Sequence, residues 1–156
     1  MANSASSLPL DGQDPVKAGC ANNQTRTIAT YPLIENQHGG NVLGQVNLRY
    51  SPTCQTKWVQ VQVVGNGIQN QDLMGTIRFT GNLRRIGELP VFASESFNNP
   101  QGNTMYTDMI AASLNVPVIA EGQIDGTDRN GTQHHYFSCI NESNPQDHTC
   151  PPLIHF

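Results

Sequence analysis

Four cysteines, Cys20, Cys54, Cys139 and Cys150, and the adjacent histidines His134 and His135 are the residues of this 156-residue chain whose types most readily carry chemistry. A zinc centre needs two close pairs of the C-x-x-C or C-x-x-H kind, and no such spacing occurs. A nucleophilic thiol needs an activating neighbour, and none stands near any cysteine in the sequence. Disulfides are the third use, and four cysteines allow three pairings that the residues alone leave open. Neighbouring positions of a strand point to opposite faces, so His134 and His135 are expected one inward and one outward, poorly placed to share a metal. His148 and His155 fall in or beyond the C-terminal loop and complete no ligand set.

Asp125, Asp128 and Asn130 in DGTDRNG are oxygen donors on a loop, as a calcium site requires. The segment lacks the alternating donors and closing glutamate of an EF-hand, and Asn130-Gly131 reads more simply as a hairpin turn. An acid/base pair drawn from Asp108, Glu121, Asp125 and His135 is backed by no G-x-S-x-G, H-E-x-x-H or phosphate loop. No catalytic, cofactor-binding or metal-ligating residue is therefore assigned. The N-x-S/T sites at Asn23, Asn130 and Asn141 are glycan acceptors only in a eukaryotic secretory route.

Charged residues make up only 13% of the chain, its formal net charge is −4, and Lys17 and Lys57 are the only lysines. Without a basic stripe to neutralise phosphates, nucleic acid is excluded as a direct partner. No apolar run approaches the ~18 residues of a membrane-spanning helix. The opening MANSASSLPLDGQDP has neither the basic nor the apolar region of a signal peptide. Four cysteines in a polar chain fit an oxidising compartment, so a secreted or cell-surface setting is expected.

The elements that must position these groups are strands. Val42, Gly44, Val46, Leu48 and Tyr50 alternate with Gln45, Asn47 and Arg49, and Val59, Val61 and Val63 alternate with Trp58, Gln60 and Gln62. Trp58 then covers an end or the outer side of the sheet. Leu73, Ile77 and Phe79 repeat the pattern; weaker runs lie at 25–31, 89–93, 105–110, 116–124 and 133–140. Turn signals at 35–40, 51–53, 65–67 and 125–131 separate them. The expected fold is all-β, an antiparallel sandwich or small barrel of seven or eight strands, with a short helix or turn allowed in 106–114 by its alanines. Residues 1–19 read as an extended polar arm, 20–140 as the β-domain and 141–156 as a C-terminal loop and tail.

DGQDPVKAGC, TRTIAT, GQVNLRYSPTCQTKWVQV and MYTDMI together resemble the bacterial domain-of-unknown-function family 2690. The resemblance covers Asp11 to Trp58 well, thins through the middle and is slight after Asp108. It rests on Asp11-Gly12, Asp14-Pro15, Gly19-Cys20 and Tyr50-Ser51-Pro52-Thr53-Cys54. It implies an extracytoplasmic, disulfide-bearing β-domain and no known activity. Cys20 and Cys54 match the family's two cysteine positions, implying that they pair with each other and leaving Cys139 with Cys150. Leu10 stands where many members have a cysteine and PVIAEGQID lacks the family's later one, so the second bridge has no family counterpart.

The expected role is structural or interactive: an assembly subunit with few lysine gatekeepers, whose arm is able to add a strand to a neighbour's sheet. The alternatives are a monomeric ligand- or carbohydrate-binding module, which calls for exposed aromatics on one face, and a hydrolase with an Asp/His centre.

Overall fold

In the structure, a computed structural model, residues 8–35, 40–63, 67–98, 103–148 and 150 are described. The start of the arm (1–7), parts of the turns expected at 35–40 and 65–67, Val64, and the tail with His155 lie outside them.

The alternating runs form three antiparallel strands, β1 (Arg26–Glu35), β2 (Asn41–Ser51) and β3 (Thr56–Val63), with β2 hydrogen-bonded to both neighbours. A single turn of helix, α1 (Gly67–Asn70), leads into β4 (Leu73–Arg85), which turns back as β5 (Val91–Asn98). Two short strands, β6 (Thr104–Tyr106) and β7 (Ile110–Ala111), both pair with β3. The chain ends in the hairpin β8 (Val118–Asp128) and β9 (Gln133–Asn141). The sheet order is β5-β4-β8-β9-β1-β2-β3-β6 with β7 beside β6 on β3, a nearly closed antiparallel barrel of eight strands. The all-β expectation holds. Two details differ. The 106–114 segment contains no helix, because Tyr106 and Ile110–Ala111 are taken up by pairing with β3. Val42 is 48% exposed and Leu43 is buried, because Leu33 pairs with Gly44 but Ile34 with Val42, leaving Leu43 as an extra residue that reverses the alternation.

The interior is filled by Val46 and Leu48 of β2, Val59 and Val61 of β3, and Ile77, Phe79 and Leu83 of β4, facing Ile124 and Tyr136 of the terminal hairpin. Val46 pairs with Val61 on one wall and Gly81 with Gly122 on the other. A Cβ on Gly122 would lie 3.0 Å from Val46 Cβ, and one on Gly81 would lie 3.1 Å from Thr107 Cγ2 and 3.4 Å from Val61 Cγ2. Two side chains are missing where the walls come closest, which flattens the barrel.

The backbone ladder is thin at two places, and side chains complete it. Among the described residues no pairing joins β5 to β6, the two ends of the sheet path. Beside that opening, Asp11 accepts hydrogen bonds from Arg85 NH1 and NH2 at 2.9 and 2.6 Å and from the Ala111 amide at 2.8 Å, while Arg85 NH1 donates to the Ala111 carbonyl at 2.8 Å. A carboxylate and a guanidinium thus link β4 to β7 where strands do not meet. Between β1 and β9 the only registered pair among the described residues is Ile34 with Phe137. There the ring of His148 stacks on Tyr31 and its Nδ1 lies 3.0 Å from the Cys139 carbonyl, within the loop closed by Cys139–Cys150.

Candidate functional site

The DGxDP-x-x-x-GC stretch builds one wall of a groove. Gly12 and Gly19 both take left-handed φ values, +79° and +78°, which L side chains disfavour. Between them Asp14 Oδ1 accepts the Val16 amide at 2.8 Å, forming an Asx turn, and the Pro15 carbonyl accepts the Cys20 amide at 2.8 Å. Gln13 bridges to Met109, and Cys20 is bonded to Cys54 in the β2–β3 turn, where Asn22 Nδ2 also donates to Thr53 Oγ1 at 3.1 Å. Residues 8–25 therefore dock on the outside of their own barrel. Trp58, which faces outward from β3, is left only 4% exposed.

The outer face beside this arm carries amides and hydroxyls in rows. Thr30 donates to Asn47 Oδ1 at 2.6 Å, Asn47 Nδ2 donates to Gln60 Oε1 at 2.8 Å, and Gln60 pairs with Tyr106 of β6. In the next row Arg49 NH1 donates to Thr27 Oγ1 at 2.6 Å and Arg49 pairs with Trp58. A groove of about 290 Å³ lies between this face and the arm. Arg49, Trp58, Gln60 and Tyr106 line its sheet side, and Pro15, Val16, Ala21, Asn22 and Thr25 line its arm side. Thr25 Oγ1 and the Asn22 side chain are occupied in holding the arm. Gln60 Nε2 and the remaining N–H groups of Arg49 have no partner among the described residues, and the ring of Tyr106 leaves that residue 40% exposed.

A carboxylate stands beside one lining residue. Tyr106 OH approaches Asp14 Oδ1 at 3.5 Å; burial, then the negative charges of Asp14 and Asp108, push the phenol pKa upward. Burial and the neighbouring Asp14 likewise raise Asp108, with Lys17 opposing.

A second charged cluster sits at the end of the barrel. His134 Nδ1 lies 2.5 Å from Glu35 Oε2 and its Nε2 lies 2.8 Å from Asp128 Oδ2. The bond to Asp128 and then that to Glu35 raise the imidazole pKa against the opposing effect of burial, while His134 lowers that of Asp128. Desolvation, with Glu35 and Asp128 nearby, raises the Tyr136 hydroxyl. An imidazole ring clasped at both nitrogens joins β1, β8 and β9, and neither ring nitrogen is open to a further partner.

His134 and His135 do lie on opposite faces, and His135 meets Asp125 across the hairpin at 2.5 Å, with both side chains more than a third exposed. Asp128 closes the β8–β9 turn by accepting the Asn130 and Thr132 amides, and Gly131 takes φ +82°. Glu121 is buried on the outer face under the C-terminal loop, accepting Asn82 Nδ2 at 2.8 Å. Asp108, on the segment between β6 and β7, stands apart from that group. Of Asp108, Glu121, Asp125 and His135, only the last two meet. Cys139 and Cys150 form the second disulfide; with Glu121 they are the one cluster of potential ligand atoms among the described residues, and the bridge consumes both sulfurs. The sequence does not reveal the groove because its lining comes from four separate segments, the arm, β2, β3 and β6. The outward placement of Trp58, Gln60 and Arg49 was the only signal for it.

Fold and groove together define a disulfide-stapled antiparallel β-barrel with a polar cleft roofed by its own N-terminal segment. Residues 9–120, more than two-thirds of the chain, match the family described as Protein of unknown function (DUF2690), and the chain belongs to that family. No curated protein and no solved structure gives a match. Every residue lining the groove falls within the matched segment, whereas Asp128 and His134 fall beyond it. Among the described residues no helix is long and apolar enough to cross a membrane.

Proposed function

We propose that the chain is a non-catalytic, extracytoplasmic interaction domain that holds a ligand in the groove beneath its arm. One observation carries this reading: the family-matched segment builds a concave site in which Gln60 Nε2 and the Arg49 N–H groups not bonded to Thr27 have no partner among the described residues. The extracytoplasmic setting is supported by all four cysteines being paired. The non-catalytic reading is supported by the engagement of both nitrogens of His134 and by the open, surface position of the Asp125–His135 pair. Binding of the labelled full chain to intact bacterial cells and to purified cell wall tests the reading. Saturable retention that falls in Tyr106→Ala is expected. Retention unaffected by that substitution, or none at all, would reject the groove.

Assembly is the second reading, favoured by a different surface. Strand β5 pairs on one side only among the described residues, and on it or just before it Ile86, Leu89 and Phe92 are 45%, 68% and 59% exposed. Residues 8–25 are committed to their own barrel, so in this reading the β5 edge, rather than that part of the arm, is the pairing element. Sedimentation of the full chain and of Phe92→Lys tests it: an oligomer dissolved by the lysine supports assembly, and a monomer in both rejects it.

A further inference from the structure

We propose that the groove takes one pyranose ring of a polysaccharide, and that this ring carries an sp² oxygen acceptor, either an acetamido carbonyl or a uronate carboxylate. The inference rests on the groove being the ligand site. A cleft of about 290 Å³ falls at the small end of the ~300–1,000 Å³ typical of small-molecule pockets. A single ring fits that size better than a long apolar chain or a nucleotide.

The unused hydrogen-bonding capacity is on the donor side. Gln60 Oε1 is occupied by Asn47 and Asn22 Oδ1 by the Gln24 amide, whereas Gln60 Nε2 and most of the Arg49 guanidinium are unspent. A ligand complementary to these groups presents acceptors to the sheet side, and a planar guanidinium beside an amide matches a carbonyl or carboxylate oxygen better than a lone hydroxyl. Hydroxyl protons of the same ring can reach the Asp14 carboxylate, which stands beside the hydroxyl of Tyr106.

Tyr106 supplies the other half of sugar recognition. Its exposed ring stands next to Gln60 across the β3–β6 pair, so an apolar C–H face can lie on the aromatic surface while ring oxygens reach the amide. Arg49 is the only cation lining the cleft, which has no glycine-rich loop or helix N-terminus, so phosphate groups find no cradle.

Trp58 is the chain's single tryptophan and lines this groove, so selectively excited tryptophan fluorescence reports on this site. Full-length protein is titrated with N-acetylglucosamine oligosaccharides, with oligogalacturonate and with maltooligosaccharides, which lack both acceptors. A saturable change with one of the first two is expected, with maltooligosaccharides about tenfold weaker, as for loss of one good hydrogen bond. Tyr106→Ala should weaken binding about five- to tenfold and Tyr106→Phe much less, since stacking survives. Gln60→Glu should abolish uronate binding but spare part of the acetamido response, and rising salt should weaken only the uronate. Absence of a saturable change with all three sugars, or affinity equal in Tyr106→Ala, overturns the proposal. If sugars fail while cell-wall retention still depends on Tyr106, the sugar assignment falls and the groove stands; if that retention is also absent, both fall.

Discussion

Gly81 and Gly122 sit opposite each other on β4 and β8 and present bare backbone to the Val46–Val61 pair of the facing wall. Neighbours at 3.0 to 3.4 Å from an added Cβ leave it no room without displacing a β-branched side chain from its packed position. Either Gly→Ala substitution should therefore cost about 1–3 kcal/mol as overpacking. Urea denaturation of each variant would measure this, and the pair should be non-additive because one wall shift relieves both.

Asp11 should be the most costly carboxylate of the arm to remove. Burial raises its pKa, but the Arg85 hydrogen bonds and the Ala111 and Leu8 amides more than reverse that, so the net shift is downward. Asp11→Ala leaves the nearly buried Arg85 with the Glu88 carboxylate and the Ala111 carbonyl, one buried carboxylate short, and breaking a buried pair typically costs about 3–5 kcal/mol. Thermal denaturation should show the loss, and hydrogen exchange should show faster exchange of the Ala111 amide, which loses its acceptor.

The His134 clasp gives a pH dependence of definite sign. Its folded pKa is raised above the ordinary 6.5, so its stabilisation is fully present below pH 6.5 and is lost as pH rises through the folded value. Asp128 is shifted down from 3.8, so its share is present above that value and is lost as pH falls through the lower folded value. The Tm difference between wild type and His134→Gln should be greatest between those two ordinary values and should shrink on the alkaline side. A difference that grows above neutrality would contradict the clasp.

Lys57 is fully buried on β3, with Nζ donating to Glu142 Oε1 at 2.7 Å and to the Val116 carbonyl at 2.9 Å. Glu142→Ala also deprives the Val118 amide of its acceptor. A loss of about 3–5 kcal/mol is expected, whereas Lys57→Met combined with Glu142→Ala should recover part of it. A double variant no better than the single would refute the account.

The regular walls were legible because Val46, Leu48, Val59 and Val61 keep strict alternation on strands half-buried by one core. The same rule failed at Val42 and Leu43, since an inserted residue changes register without changing composition. It was silent on Gly81 and Gly122, whose role depends on a wall far away in sequence. The cysteine pairs were legible through the family resemblance for Cys20 and Cys54, and the structure bears out both bridges. Adjacent histidines on a strand announce opposite faces; they do not announce that the inward one will find Glu35, 99 positions earlier. The sequence showed Trp58 pointing outward, but only the docked arm turns that outward residue into the floor of a cleft.

The side chains that complete the barrel impose an order on its assembly. The hairpins joining β1, β2 and β3, β4 and β5, and β8 and β9 need only contacts between chain neighbours. The Asp11–Arg85, Asp11–Ala111 and Glu35–His134 contacts span 74, 100 and 99 positions. Loop closure over such distances comes after local pairing, so the walls should form early and the closures late. During that interval the Cys20–Cys54 bridge, by tying the arm to the β2–β3 turn, shortens the search that brings Asp11 to Arg85.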